Sequence, residues 1–200
     1  MKSGARFLAI MVPPLLFGCR DVHAPNAPNF ATAIEGYLAT HGQLCLRLGA
    51  WPVTVEHDSV MAERLQVLAQ HQLVQLESHD NERQRYHLTL TALPYVTFKS
   101  THTLLTGEIK QWQALCWGQK RLEGILEWEG PRAFGDYQEV NVTYTYALSS
   151  LAPWARDPTI QAAFPEIARA LSGKRALKEV RLLTLTNRGW VVKSNYEYFW

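Results

Sequence analysis

The sequence contains few of the patterns by which catalytic and metal sites are recognised. It has only three cysteines in 200 residues, without a Cys-x-x-Cys pair or the Cys/His spacing of a zinc site. Seven histidines are present, but none stands in a His-Glu-x-x-His arrangement. The Gly-x-Ser-x-Gly turn of hydrolases and the glycine-rich phosphate loops are also missing. We therefore expect no metal ion, no cofactor and no enzymatic activity.

Charge of one sign is not in excess either. The chain has 20 basic and 18 acidic side chains, a formal net charge of +2 with neutral histidines. Proteins that bind nucleic acids usually carry a basic excess on one face. A polybasic run suited to anionic lipid headgroups is missing too. Nucleic acid is therefore not among the expected partners.

The sequence also lacks an apolar run long enough to span a bilayer. Its most apolar stretch, residues 7–17, has eleven residues, whereas a membrane helix needs about 20. This stretch follows Lys2 and Arg6 and contains a Pro-Pro pair that disfavours a lasting helix. A short positive region before such a run is typical of a signal peptide. Residues 1–18 are therefore predicted to direct export.

The end of the apolar run, Leu16-Phe17-Gly18-Cys19, resembles the lipobox of bacterial lipoproteins. That resemblance implies lipidation of the Cys19 thiol, cleavage after Gly18 and acylation of the new amino terminus. Several acyl chains give stable anchoring, whereas one chain alone binds a membrane only marginally. The alternatives are an ordinary secretory signal with an incidental cysteine and a cytosolic protein with a buried N-terminal helix.

The residues after Cys19 predict a location in the bacterial cell envelope. In the lipoprotein class an acidic residue after the lipidated cysteine usually marks retention in the inner membrane. Arg20 occupies that position, which favours the outer membrane, facing the periplasm, whereas the acidic Asp21 one place later reduces this preference. Residues 19–28 contain two prolines and little to bury, so we expect a tether.

Cys45 and Cys116 remain once Cys19 is assigned to lipid. An even pair in an oxidising compartment predicts a disulfide, which would close a loop of about 70 residues. Both cysteines have apolar neighbours, which is consistent with a buried bond. The alternative is two separate buried thiols that pack as small hydrophobic side chains.

Residues 29–98 are predicted to form an N-terminal unit of helices and strands. Helical spacing predicts a helix over 29–41, capped by Asn29, and a second helix from Asp58 or Ser59 to His71. Strand signals follow over 74–77 and 85–89, with a polar turn between them. Residues 59–96 resemble the helix and hairpin wing of a winged-helix domain. The second helix carries Arg64 and no other permanent cation, so we interpret this unit as a scaffold and not as a DNA reader.

Residues 99–200 are predicted to form an antiparallel sheet domain with one or two helices. Residues 98–112 are expected to be a joint between the two units. Strands are expected over 120–128, around 140–146, over 180–186 and over 190–198. A helix is expected over 159–171, bent or restarted at Pro165. The whole chain is therefore placed in the α+β class.

Aromatic residues are the remaining candidates for a binding surface. In the predicted sheet domain, Trp128, Tyr144, Tyr146 and Trp190 could line a ligand site, although packing in a core is their ordinary role. Our leading hypothesis is a non-enzymatic envelope lipoprotein that binds a partner protein or a small ligand through this sheet.

Two other functions stay open. An envelope hydrolase would require polar groups such as His102 and Glu127 to converge in a cleft. An assembly factor for an envelope complex would require a large exposed apolar patch.

Overall fold

A computed structural model describes residues 21–79, 82–102, 109–135, 137–173 and 177–193. The predicted signal peptide (1–18) and the lipidation site Cys19 lie outside the described residues. The described chain is a mixed α and β structure with few helices and a curled antiparallel sheet. This confirms the predicted α+β class at the level of its secondary structure.

The described residues form four α-helices, two short 3₁₀ helices and nine strands, in two sheets. The helices are α1 (Ala27–His41), α2 (Val60–Gln70), α3 (Pro158–Ala163) and α4 (Pro165–Leu171), and the 3₁₀ helices are Leu90–Tyr95 and Pro153–Arg156. The strands are β1 (Gln43–Cys45), β2 (Val53–Glu56), β3 (Val74–His79), β4 (Arg83–Leu88), β5 (Val96–His102), β6 (Ile109–Phe134), β7 (Tyr137–Ser149), β8 (Lys178–Thr186) and β9 (Gly189–Val192).

The start of α1 differs from the prediction that Asn29 is its N-cap. Asn26 is the cap, and its side-chain oxygen accepts a hydrogen bond from the backbone N–H of Asn29 at 3.0 Å. Pro28 fits the first turn because a proline there gives up only an N–H that has no helical partner. Asn29 itself is buried, and its side-chain amide donates to the carbonyl oxygens of Asp21 and Ala24.

The second helix begins as its sequence indicates. Ser59 is the N-cap of α2, and its hydroxyl oxygen accepts from the N–H of Ala62 at 3.1 Å. The helix precedes the hairpin of β3 and β4, and β2 pairs with the other side of β4, so that the strand order is β2-β4-β3. Leu65 and Leu68 of α2 are fully buried.

The larger sheet has six strands, where the sequence predicted four. Its order is β1-β6-β7-β8-β9, and β5 pairs with the first part of β6. The predicted joint over residues 98–112 was wrong in its described part, because β5 and the beginning of β6 form a regular antiparallel pair there. In these two segments apolar and polar residues alternate only weakly, so the sequence gives little strand signal. Their pairing with each other stabilises both as strands.

The long strand β6 also continues where the sequence predicted a break at Glu129-Gly130-Pro131. It runs from Ile109 to Phe134, and its register with β7 shifts between Glu129 and Arg132. Such a bulge accommodates a proline, which cannot donate a hydrogen bond to the neighbouring strand. Two further bulges in the same pairing accompany the curl of the sheet.

One hydrophobic core, which we name the helical core, lies between the helices and the smaller sheet. It is composed of buried apolar residues from α2, α3, α4, β2, β4, β6 and the adjoining segments. Pro165 separates α3 from α4, as predicted, because the residue before a proline is disfavoured in helical conformation. The members buried most completely are Leu65, Leu68, Leu73, Ala92, Leu115, Ala155, Ile160, Phe164 and Ile167.

A second hydrophobic core, the sheet core, lies between α1 and the larger sheet. Phe30 of α1 is fully buried, and its ring makes edge contacts with Trp190 at 5.3 Å and Trp128 at 5.4 Å between centroids. The buried members of this core are Phe30, Ile34, Leu38, Val140, Val142, Tyr144, Leu183 and Trp190.

Both cores draw on residues from the two sides of the boundary predicted between residues 98 and 99. Helix α1 packs on the larger sheet, whereas α3 and α4 join the helical core with α2. The division into units 29–98 and 99–200 therefore stays a prediction, and neither core is built from one of these units alone.

Cys45 and Cys116 form the predicted disulfide. They lie opposite each other in the pairing of β1 with β6, and the S–S distance is 2.06 Å. The bond ties the chain after α1 to the middle of β6, 71 residues later in the sequence. It therefore links an edge strand of the larger sheet to the strand that contributes to both sheet pairing and the helical core.

Candidate functional site

A groove with a volume of about 1520 Å³ lies between the end of α1, strands β1 and β5, and strand β8. This volume exceeds the roughly 300–1,000 Å³ of ordinary small-molecule sites. We name it the basic groove because five of its side chains are permanent cations. These cations are Arg47, Lys99, Lys120, Arg181 and Lys193, and other lining residues include Tyr37, His41, Gln43, Leu44, Cys45, Leu46, Phe98, Trp112, Val180 and Leu182.

The charge of the groove is positive although the whole chain is nearly neutral. Among the described residues that line it there is no Asp or Glu. Two carboxylates that are not among these lining residues, Glu139 and Glu179, form ion pairs with Lys193, Lys120 and Arg181. The chain therefore concentrates its basic side chains around one concave surface.

Two of the cations belong to a cluster of four side chains, which we name the ionic network: Lys120, Tyr144, Glu179 and Arg181. The Lys120 ammonium donates to one carboxylate oxygen of Glu179. The other oxygen accepts from the Tyr144 hydroxyl at 2.8 Å and from the Arg181 guanidinium at 3.3 Å. Lys120 and Glu179 are mostly shielded from solvent, so the attraction between them is screened less than in an exposed ion pair.

The network holds Glu179 in its ionised form. Burial alone raises the pKa of this carboxyl group. The hydrogen bond and charge of Lys120, with smaller contributions from Tyr144 and Arg181, outweigh burial, and the pKa lies below its ordinary value. Burial, followed by the hydrogen bond to Glu179, raises the pKa of the Tyr144 hydroxyl. The network is therefore a fixed set of charges at neutral pH.

Aromatic rings lie beside the cations at the α1 end of the groove. Tyr37 and His41 stack with ring centroids 4.7 Å apart and nearly parallel planes. The guanidinium of Arg181 lies 5.2 Å from the centroid of the Tyr37 ring. This geometry is that of a cation–π contact, which holds the guanidinium at the groove surface.

The wall formed by β5 combines an apolar and a basic side chain. Phe98 is 73% exposed although it is a large apolar residue. The neighbouring Lys99 donates to the side-chain oxygen of Gln43 at 2.9 Å, which joins β5 to β1. The disulfide cysteine Cys45, on β1, also lines the groove. The groove therefore offers apolar contact and positive charge within a few residues of each other.

The four aromatic residues predicted to line a ligand site lie close to the groove but are not among its described lining residues. Tyr144 and Trp190 are buried members of the sheet core. Trp128 is partly exposed beside Phe30, and the Tyr146 ring lies 4.9 Å from the Lys120 ammonium. Tyr146 thus contacts the groove residue Lys120, whereas Tyr144 contacts Glu179, which is bonded to Lys120 and Arg181. Direct contact of the four with a ligand stays a prediction.

The polar residues considered for a hydrolase are not brought together by the strand register. The backbone of His102 pairs with Ile109 at one end of β6, whereas Glu127 lies eighteen residues farther along that strand. A smaller cleft of about 390 Å³ lies beside β2 and is lined by Glu56, His57, Asp58, Ser59, Glu82 and Arg83. In the described part of the chain no three His, Cys, Asp or Glu side chains are placed to hold a metal ion.

An assembly factor would require a large exposed apolar patch. Exposed apolar residues outside the basic groove include Leu90 and Leu93 on one 3₁₀ helix, Val60 at the start of α2, and Leu126 and Tyr137 in the hairpin of β6 and β7. This alternative stays a prediction.

The groove cations were missed in the sequence because they come from five separate segments of the chain. Only their strand pairing brings them to one place, and their charges cancel in the overall composition. One local signal was present in β8, where Glu179 and Arg181 precede the buried Leu183 on the same strand face. Charged residues on the buried face of a strand require oppositely charged or hydrogen-bonding partners nearby. Two such residues in β8 therefore indicated that a polar cluster lies beside this strand.

Comparisons of the chain with protein-family models, with curated proteins and with solved structures found no match. Across the described ranges, none of the helices is both long and apolar enough to cross a membrane.

Proposed function

We propose that the protein is a lipid-anchored lipoprotein of the bacterial cell envelope that binds a ligand in the basic groove without transforming it. The anchor is the lipid on Cys19, and the location is the outer membrane, facing the periplasm. The observation that carries the binding function is the groove itself, which combines exposed aromatic surface with concentrated positive charge.

The position of the first described residues bears on how the anchor would hold the protein. The side-chain N–H of Trp190 donates to the carbonyl oxygen of His23 at 3.1 Å, and a ring nitrogen of His23 lies 3.2 Å from the Asn187 carbonyl oxygen. Only Arg20 stands between Cys19 and Asp21, and these two steps along the chain can span at most about 7 Å. A lipid on Cys19 would therefore keep the turn between β8 and β9 close to the membrane surface.

We interpret α2 with β2, β3 and β4 as a winged-helix-like unit that supports the fold and does not bind nucleic acid. The single cation of α2, Arg64, lies over the ring of Phe164 at 5.6 Å. An arginine engaged with a neighbouring helical segment is poorly placed to contact phosphate groups. The unit would then serve to fix β6 and the loop after β1, both of which contribute to the groove.

The binding function is tested with the neutral fluorescent probe N-phenylnaphthylamine. The protein is the chain beginning at Arg20, which retains every residue that the structure describes. We expect saturable binding that Phe98→Ser weakens several-fold, because an exposed ring of the groove is lost. Leu90→Ser is the matched control, since Leu90 is 84% exposed but lies outside the groove. Equal effects of the two substitutions would contradict the proposal, and so would the absence of saturable binding of both this probe and its sulfonate analogue.

The anchor is tested separately by the intact mass of the full-length protein extracted from bacterial membranes. We expect a chain that begins at Cys19 and carries the additional mass of acyl groups. Cys19→Ala should move the protein to the soluble fraction or leave its leader uncleaved. A wild-type chain that retains Met1, or that begins elsewhere without acyl mass, would contradict the lipoprotein assignment.

A further inference from the structure

From the distribution of charge and apolar surface we infer that the ligand of the basic groove is an anionic amphiphile, a small molecule with an apolar or aromatic body and an acid group. This inference rests on the proposed binding function and specifies the chemistry of that same site.

The first support is that two cations of the groove are held in fixed positions. The ionic network fixes Lys120 and Arg181 in place through Glu179, so their charges are positioned before any ligand arrives. A group whose geometry is fixed in advance loses little conformational entropy when it binds an anion. Lys120 and Arg181 therefore offer positive charge in fixed positions to an acid group on a ligand.

The second support is Arg47, which follows the edge strand β1. It is exposed, lines the groove and stands next to the buried Leu46 and Leu48. An arginine presents several N–H donors in a planar fork that fits carboxylate, sulfonate or phosphate oxygens. Arg47 therefore provides a donor for an acid group that is independent of the ionic network.

The third support is the apolar surface between these cations. Leu44, Phe98, Trp112 and Val180 line the same groove. An inorganic anion would leave this surface in contact with water, and so would a strongly acidic peptide. An amphiphile would cover it with its body while its acid group contacts the basic side chains, so that both kinds of surface are used. The groove chemistry thus favours an amphiphilic anion.

The test compares two fluorescent probes that share one ring skeleton. Anilinonaphthalene sulfonate carries an acid group, and N-phenylnaphthylamine has none. We expect the wild-type protein to bind the sulfonate at least five-fold more tightly at low salt, with a preference that decreases as salt is added. Arg47→Glu should weaken binding of the sulfonate about five-fold or more and change binding of the neutral probe less than two-fold. Arg188→Glu, an exposed site in the turn after β8, is the charge-matched control.

The outcomes separate this inference from the proposed function. Binding of both probes with equal affinity, and no effect of Arg47→Glu, would overturn the anionic assignment and leave the binding function standing. Failure of both probes to bind would overturn both.

A competition experiment compares a fatty acid with the neutral alcohol of the same chain length. We expect dodecanoate to displace the bound sulfonate and dodecanol not to displace it. Displacement by a hexaglutamate peptide alone would overturn the assignment to a small amphiphile. Near-ultraviolet circular dichroism of each variant verifies that its tertiary packing is retained, because the sulfonate also binds to loosened proteins.

Discussion

The helical core and the sheet core differ in the polar and charged groups that lie beside them. The buried members of the helical core are apolar or aromatic side chains, and its buried polar contact is the neutral hydrogen bond from the Tyr86 hydroxyl to the Gln84 side-chain oxygen at 2.9 Å. The sheet core borders on the ionic network, in which one carboxylate holds two cations and a tyrosine hydroxyl. Buried charge is costly unless it is paired and hydrogen-bonded. The ionic network lies on the side of the molecule to which we assign the proposed binding function.

The disulfide connects these two regions. Cys45 belongs to the groove wall, and Cys116 lies on β6 between two residues of the helical core, Leu115 and Trp117. The bond holds β1 and the loop that carries Arg47 against the strand that the helical core fixes. The scaffold role of one region and the binding role of the other can therefore be tested by substitutions on each side.

The largest expected effects come from truncating the two cores. Phe30→Ala in the sheet core should lower the free energy of unfolding by about 3–5 kcal/mol, and Leu68→Ala in the helical core by about 2–5 kcal/mol, since both side chains are fully buried. Urea denaturation measures these losses. At low temperature, where both variants are folded, only Phe30→Ala should weaken binding of the neutral probe. The reverse pattern would contradict the division of roles.

Removal of the disulfide is the next largest expected effect. The double substitution Cys45→Ser with Cys116→Ser should destabilise the protein by about 4 kcal/mol, less any strain, because the bond closes a loop with a sequence separation of 71. Urea denaturation under oxidising and reducing conditions measures the difference. Wild-type protein in reducing buffer should match the double variant. An unchanged midpoint on reduction would show that the bond contributes no stability.

The ionic network predicts a smaller loss with a defined dependence on pH. Because the pKa of Glu179 lies below its ordinary value of 4.5 in the folded protein, the carboxylate contributes stability above that value. This contribution is lost as the pH falls below 4.5 and through the folded-state pKa. Glu179→Gln should cost about 2 kcal/mol at neutral pH, since Lys120 and Tyr144 lose a charged acceptor.

The control for this prediction is the pH profile of the substituted protein. Urea midpoints measured between pH 3 and pH 7 should fall less steeply with acid in Glu179→Gln than in the wild type. Parallel profiles would mean that another carboxyl group is responsible for the acid sensitivity. Glu123→Gln, on an exposed side chain of β6, should leave the wild-type profile unchanged.

The smallest effect is expected at the N-cap of α2. Ser59→Ala removes the acceptor of the Ala62 N–H and should cost about 1 kcal/mol. Binding of both fluorescent probes should stay unchanged, because Ser59 lies outside the basic groove. A loss of binding with retained stability would place the site at the smaller cleft beside β2.

Local features of this fold were accessible from the sequence, whereas the site was not. The start of α2 near Ser59, the restart at Pro165 and the strand around residues 140–146 are short-range signals, and the structure contains all of them. The pairing of Cys45 with Cys116 followed from counting the cysteines that remain once Cys19 is assigned to lipid.

Long-range pairing accounts for what the sequence did not reveal. Strand β5 has little alternation of its own and is defined by its partner β6. Pro131 is accommodated by a bulge that depends on β7. The basic groove requires α1, β1, β5 and β8 to meet, and a near-zero total charge gives no indication of a local excess.

The central claim is that the groove beside the sheet core binds the ligand and the helical core supports it. Hydrogen–deuterium exchange with and without anilinonaphthalene sulfonate tests this claim most directly. We predict slower exchange on binding in residues 37–50, 97–100 and 178–182, and unchanged exchange in residues 60–79 of α2 and β3. Protection confined to α2 and β3, with none along β1, β5 and β8, would contradict the account.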